Sequence, residues 1–445
     1  MNDKLINSVL EAGIVGAGGA GFPTHVKLGA QADIVIINGA ECEPLLRVDQ
    51  QLMEREAAGL LTALDLIVES SGAARGVVAL KEHYHGAAAA LSRELPKHPK
   101  LSLHLLGGFY PAGDEQVIVY EVTRKIVPEG GIPLNVGVIV VNVETALNIL
   151  AAYEDGTPVT DKYLTVTGAV RSPKSVRVPL GITVREAVEL AGGATVSDYV
   201  VVNGGPMMGV TVSPKSWVTK TTKGLIVLPL EHSLLTSLKK PLDKSIRDAS
   251  IACMQCSLCT EVCPRHLLGH RIEPHKMMRI AAYGSVCDEK QSPMNAYLCC
   301  GCRLCEYACV MGLQPWKFNA SIKNILMRSG VKNSLHLAPE RCDSFREYKR
   351  YPVGKLIRQL GLSQYDRPAP MKYGDHSFIE VTLPLRQGAG APSEPVVKVN
   401  DQVTRGGLIA RAPQGKLGTN LHASISGTVK AVTEIFVTIH TENQL

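Results

Sequence analysis

The sequence has no uninterrupted apolar run of about 18 residues, the length a membrane-crossing helix needs, so it offers no transmembrane span. It also lacks a secretory leader at its start. Met1-Asn2-Asp3-Lys4 does not lead into an apolar stretch with a small-residue cleavage site, which predicts a cytosolic location. Aromatic residues are sparse at 5%, yet 45% of residues are hydrophobic, enough for ordinary buried cores. Neither charge sign dominates: the formal net charge is +6, and no nucleic-acid-binding module is recognisable. Lys239, Lys240, Lys244 and Arg247 form one basic cluster, which reads as a solvated face rather than a docking patch for an acidic partner. A disulfide framework is excluded by the same compartment, because cytosolic thiols stay reduced.

What the sequence does have is cysteine in one place. Of 12 cysteines, ten fall between Cys253 and Cys309. They form two runs, Cys253-x2-Cys256-x2-Cys259-x3-Cys263-Pro264 and Cys299-x2-Cys302-x2-Cys305-x3-Cys309. This is the bacterial ferredoxin spacing. Three cysteines at two-residue intervals wrap one [4Fe–4S] cubane, and the fourth iron takes a thiolate from the other run. Cys253, Cys256, Cys259 and Cys309 are therefore expected to hold one cluster, and Cys299, Cys302, Cys305 and Cys263 the other. Zinc sites use pairs of cysteines rather than three plus one, so two [4Fe–4S] clusters are the reading. Cys300 is out of register, and Cys287 and Cys342 have no partner at ligand spacing; none of the three is expected to be a ligand.

Around this core the chain, at 445 residues, divides into several units. Residues 1–155 read as α/β, with buried strands at Ile34-Val35-Ile36-Ile37 and Val138-Ile139-Val140-Val141 and helical periodicity from Arg55 to Ser70. Residues 160–215 read as a small separate module with a strand from Tyr163 to Thr167 and a helix from Val184 to Leu190 that ends at Gly192-Gly193. Residues 245–335 read as helical around the cysteines. Tyr365 to Pro370 reads as a linker, and 375–445 as all-β, with strands broken by Gly388, Gly390, Gly406-Gly407 and Gly427.

Gly16-Ala17-Gly18-Gly19-Ala20-Gly21 satisfies GxGxxG, but a Rossmann fingerprint needs a strand before it. Leu5 to Ile14 has helical spacing instead. Glycines at this point still let backbone N–H groups approach a phosphate or a flat ring.

Four segments in order carry a resemblance: Gly16 to Thr24, Asn38-Gly39-Ala40-Glu41-Cys42-Glu43-Pro44, Tyr110-Pro111-Ala112-Gly113-Asp114-Glu115 and Asn142-Val143-Glu144-Thr145. Together they resemble the FMN and NADH site of the 51-kDa flavoprotein of respiratory complex I. The resemblance implies that Gly18, Gly19 and Lys27 lie along FMN and its phosphate. By the same likeness Asn38 and Glu41 contact the flavin ring or ribityl chain, and Tyr110, Gly113, Asp114 and Glu115 edge the pocket. Asn142 and Thr145 would take the phosphate end, and Glu43 would sit where the nicotinamide nucleotide of NADH docks. Ala17, Ala40 and Val141 depart from the family pattern at an arginine, an aspartate and an asparagine. Cys42 reads as a space-filler.

Residues 160–215 resemble the SLBB (ubiquitin-like) module. Gly204-Gly205-Pro206-Met207-Met208-Gly209 resembles a signature of the RnfC and PduS branch, whose members carry two clusters. Val399 to Gly406 and Ala423 to Val429 resemble a barrel-sandwich hybrid, the fold of lipoyl carriers, but no lysine stands between His422 and Ser426, so a swinging arm is rejected. RnfC proteins place that module before the flavin domain, whereas here it comes last, the order of PduS-type cobalamin reductases. The fold class expected is thus multidomain α/β: a complex I 51-kDa-like FMN domain, an SLBB module, an α-helical dicluster ferredoxin domain and a C-terminal all-β barrel-sandwich hybrid. The resemblance implies a reductase that passes electrons from NADH through FMN and two clusters to cobalamin during propanediol utilisation. It implies a microcompartment location, with an adenosyltransferase and shell proteins as partners. An RnfC-like component of a membrane ferredoxin:NAD complex, or a non-catalytic electron relay, are the alternatives.

Overall fold

The computed structural model describes residues 2–283, 293–372, 374 and 376–441. Cys287 lies outside these residues. The chain opens with helix α1 (Asn2–Glu11). Its Leu5 and Val9, four residues apart and so on one face, are fully buried. A helix therefore precedes the glycine loop, and the Rossmann arrangement is absent at this point.

The N-terminal sheet has strands β1 (Ile34–Gly39), β2 (Arg75–Lys81), β3 (Leu101–Leu106) and β4 (Val138–Asn142). All pairings are parallel and the order is β3-β2-β1-β4. Both faces are buried, as parallel sheets require. Val35, Ile37, Val78, Ile139 and Val141 enter one core with helix α2 (Ala57–Ser71). Ile36, Ala79, Val138 and Val140 enter a second core with helix α3 (Glu115–Thr123). The chain leaves β1 towards β2 and later returns to the other side of β1 as β4. That reversal makes the carboxyl ends of β1 and β4 a topological switch point, where open α/β sheets leave a crevice for ligands. In register, Asn38 pairs with Asn142 at that end, and helix α4 (Val143–Asp155) follows directly.

The next sheet is six-stranded. It contains β5 (Asp161–Gly168), β6 (Lys174–Pro179), β7 (Tyr199–Asn203), β8 (Val210–Val212), β9 (Gly224–Pro229) and β10 (Met371–Lys372). It thus takes in two strands from beyond residue 215. Helix α5 (Val184–Leu190) starts on a reciprocal cap: the Thr183 hydroxyl accepts from the Glu186 N–H at 3.2 Å, and the Glu186 carboxylate accepts from the Thr183 N–H at 2.7 Å.

Tyr365 to Pro370, expected as a linker, is pinned to the body. The Ala369 carbonyl accepts from Gln51 Nε2 at 3.0 Å and from the Ser175 hydroxyl at 3.1 Å, and Arg367 donates to the Gly168 carbonyl at 3.0 Å. The helical region over the cysteines includes α6 (Leu242–Ala252), which runs straight into Cys253. The C-terminal unit pairs a four-stranded sheet, with strands at Glu380–Pro384, Phe436–His440, Gly427–Val432 and Gln402–Val403, with a three-stranded one. Fold class and the order of its units agree with the sequence reading.

Candidate flavin and iron–sulfur sites

Four cysteines line one open cavity: Cys253, Cys256, Cys259 and Cys309. The first three come from the first run and the last from the second, the exchange that the spacing predicts. The other four also gather. Cys263 is within electrostatic reach of Cys300 and Cys299, Cys302 is hydrogen-bonded to Cys300 and within reach of Cys263 and Cys305, and Cys305 is within reach of Cys299, Cys259 and Cys263, so Cys300, though out of register, lies among them. Among the described residues no three His, Cys, Asp or Glu side chains close on the position of a single ion. Cys342 lies apart from both quartets, with its sulfur 2.9 Å from the Tyr120 hydroxyl.

At the switch point the flavin-like motifs meet. The Ala17 N–H donates to Thr145 Oγ1 at 2.9 Å, which holds the glycine loop over the start of α4. Asn142 caps that helix, its Oδ1 accepting from the Glu144 and Thr145 N–H groups. The N–H groups of Gly18, Gly19 and Ala20 have no backbone partner among the described residues. Gly19 has a φ of +117°, and a Cβ there would meet nothing within 4 Å. A row of open N–H groups at a helix N-terminus fits a phosphate.

Asn38 joins its own motif to the Tyr110 motif: Nδ2 donates to the Gly113 carbonyl at 2.8 Å, while Oδ1 accepts from the Ala40 N–H at 3.2 Å. Lys27 donates to Glu115 at 3.1 Å and to the Val140 carbonyl at 2.9 Å, so its charge is already shared. Glu41 is buried, and its carboxylate accepts from the Val48 N–H at 2.6 Å. Burial, reinforced by Asp49, raises its pKa. Cys42 is also held neutral, its thiol pushed up to about 12 chiefly by burial.

Glu43 turns towards the SLBB-like module. Its carboxylate accepts from the Met207 N–H at 2.9 Å and the Met208 N–H at 3.0 Å. A Cβ on Gly205 would overlap that carboxylate, so the glycine is needed for the close approach. Burial outweighs both hydrogen bonds and brings the Glu43 pKa up to about 7.

Two contacts tie the flavin side to the cysteines. The Tyr110 hydroxyl donates to the Cys302 carbonyl at 3.1 Å, and Arg265 donates to Asp114 Oδ2 at 2.9 Å. Asp114 Oδ1 meanwhile caps α3.

Family models match this chain in four places. The Nuo51 FMN-binding domain covers residues 9–151, the SLBB domain 163–211, the 4Fe-4S dicluster domain 252–314 and the RnfC barrel sandwich hybrid domain 376–444. The protein named cobalamin reductase PduS in Salmonella typhimurium is 44% identical over 439 residues, 98% of this chain and 96% of the relative. The chain belongs to the PduS cobalamin reductase family. The PduS protein of Citrobacter freundii is 43% identical over 97% of this chain and 95% of its own length. A component of the Na⁺-translocating ferredoxin:NAD⁺ oxidoreductase complex of Acetobacterium woodii is 35% identical, but the match covers 60% of this chain and 58% of its own length. Among the described residues no helix is long and apolar enough to cross a membrane.

Sequence reasoning missed a buried charge network under the flavin loop of this PduS-family chain. Lys223 donates to Asp49 at 2.5 Å and to Glu144 at 3.4 Å. Lys162 pairs with Glu144 and donates to the Ala17 carbonyl at 3.0 Å. Asn142 Nδ2 donates to Asp49 at 2.9 Å. Burial disfavours the Lys223 ammonium, but Asp49, Glu144 and Glu41 outweigh it and raise its pKa. Lys162 has less compensation, and burial brings it down to about 8. The network bolts the SLBB-like sheet to the loop. Glu144 lies inside the Asn142 to Thr145 motif and is the one available signal; nothing local marks Lys162 or Lys223. Arg265, two residues beyond Cys263, was also missed.

Proposed function

We propose that this chain is a flavin iron–sulfur cobalamin reductase that takes electrons from NADH and delivers them to the cobalt of a corrinoid through two [4Fe–4S] clusters. The observation that carries the proposal is the contact between the Tyr110 segment and Cys302, which brings the flavin motifs and the second cysteine run into hydrogen-bond reach. FMN, when bound, supplies the conversion of a hydride's electron pair into single electrons that iron–sulfur centres can accept.

The residues have distinct tasks in this reading. Gly18, Gly19 and the start of α4, with Asn142 and Thr145, would hold the phosphate. Asn38, Glu41, Gly113 and the Tyr110 segment would frame the ring, and Lys27 and Glu115 would close its edge. Glu43, beside the Gly204 to Gly209 loop, would border the nucleotide. Cys253, Cys256, Cys259 and Cys309 would ligate one cluster, and Cys263, Cys299, Cys302 and Cys305 the other. The same reading puts the protein in a bacterial microcompartment, with an adenosyltransferase and shell proteins as partners.

The test is anaerobic. NADH is added to purified protein with cob(III)alamin, and flavin, cluster and corrinoid spectra are followed together. All three should be reduced. Reduced flavin and clusters with unchanged corrinoid would overturn the substrate, and an unbleached flavin would overturn NADH as donor.

A further inference from the structure

Arg265 is about nine-tenths buried, yet among the described residues the only carboxylate holding it is one oxygen of Asp114. The other Asp114 oxygen is committed to the N–H groups of Gln116 and Val117. Arg265 Nη1 is buried with no partner among the described residues. A buried donor without an acceptor is costly, and more so when it is charged. Such an arrangement is reasonable when the acceptor is not part of the polypeptide. Arg265 follows Cys263-Pro264 in the chain; its guanidinium is within electrostatic reach of Cys263 and interacts with the Cys300 thiol by charge and hydrogen bond, which still leaves Nη1 without a partner among the described residues. It therefore stands between the Asp114 rim of the flavin site and the quartet of Cys263, Cys299, Cys302 and Cys305.

We infer that Arg265 is a positioning and tuning residue for the cluster of that quartet, a fixed cation and N–H donor that raises the cluster's reduction potential, with Asp114 as its counter-ion. The inference rests on the two-cluster reading. Reduction adds one negative charge to a cluster, and net charge and hydrogen bonds at the sulfurs are among the levers that set its potential. A guanidinium beside it favours the reduced form. Asp114 moderates that effect, so one ion pair links the flavin rim to the potential of the neighbouring cluster. A purely structural ion pair between domains would leave the potential alone.

The experiment is a potentiometric titration followed by EPR on anaerobically prepared full-length protein, with iron and sulfide measured first. Arg265→Gln should keep its iron and lower the midpoint of one cluster signal while the other stays in place. Asp114→Asn, which retains a good helix cap, should raise the midpoint of that same signal. Opposite shifts support the inference. Unshifted midpoints, or shifts of the same sign, overturn it. If Arg265→Gln loses the cluster, Asp114→Asn decides alone, and an unshifted midpoint there is fatal. Wild-type protein with far fewer than about eight irons per chain would instead sink the cluster reading itself.

Discussion

Replacing Glu144 with glutamine should be among the most damaging single changes outside the cysteines. The Glu144 side chain is 2% exposed and Lys162 is 1% exposed. One carboxylate oxygen serves Lys162 and Lys223, and the other accepts from the Tyr163 N–H at 3.2 Å. Asp49 and Glu144 are in direct contact with the two lysines. Glu144→Gln leaves two buried ammonium groups on one carboxylate. Breaking a buried pair this way costs about 3–5 kcal/mol. Lys162 already titrates near 8, so losing its partner lowers that value further. Its folded pKa is depressed below that of the unfolded chain, so the unfolded state binds the proton more readily and stability rises with pH across that interval. The variant should therefore be rescued in part at alkaline pH, and more fully by adding Lys162→Met, which removes the stranded charge. Urea unfolding followed by circular dichroism measures both. A Glu144→Gln midpoint indistinguishable from wild type, or a double variant worse than the single one, would refute the reasoning.

Glu43 has a folded pKa near 7, raised by burial above the ordinary carboxylate range, so the stability it contributes is present at low pH and lost as pH rises through about 7. Glu43→Gln should flatten the melting-temperature profile between about pH 4.5 and 7, and an unchanged slope would count against a buried carboxylate at the Gly204 to Gly209 loop. Thr145→Val removes the acceptor of the Ala17 N–H and should weaken FMN binding, read by flavin fluorescence, by about 5- to 150-fold, equivalent to about 1–3 kcal/mol; unaltered affinity would separate the loop from the phosphate site.

Much of the fold and of the cluster site is legible in the chain because the informative patterns are local. The x2-x2-x3 spacing of the two cysteine runs leads one to expect an exchange, and Cys309 lines the cavity of Cys253, Cys256 and Cys259. The amphipathic spacing of Leu5 and Val9 rules out a strand before the glycine loop, and Thr183 with Glu186 marks the start of α5. What escapes depends on tertiary neighbours. Lys162 and Lys223 look like surface lysines until two sheets close over them. Ala369 looks like part of a linker because proline and polar residues surround it, yet its carbonyl is held by side chains over 190 residues away. Glu43 is expected to face a nucleotide, and its two hydrogen bonds to the Gly204 to Gly209 loop cannot be foreseen from either segment.

The exchange of thiolates between the two runs is tested most directly by Cys309→Ser compared with Cys259→Ser and Cys302→Ser, each prepared anaerobically and examined by EPR with iron and sulfide analysis. Cys309→Ser should lose the same cluster signal as Cys259→Ser and keep the signal that Cys302→Ser loses. Loss of the Cys302 signal instead would mean that each run closes on its own cluster, and the account would be wrong.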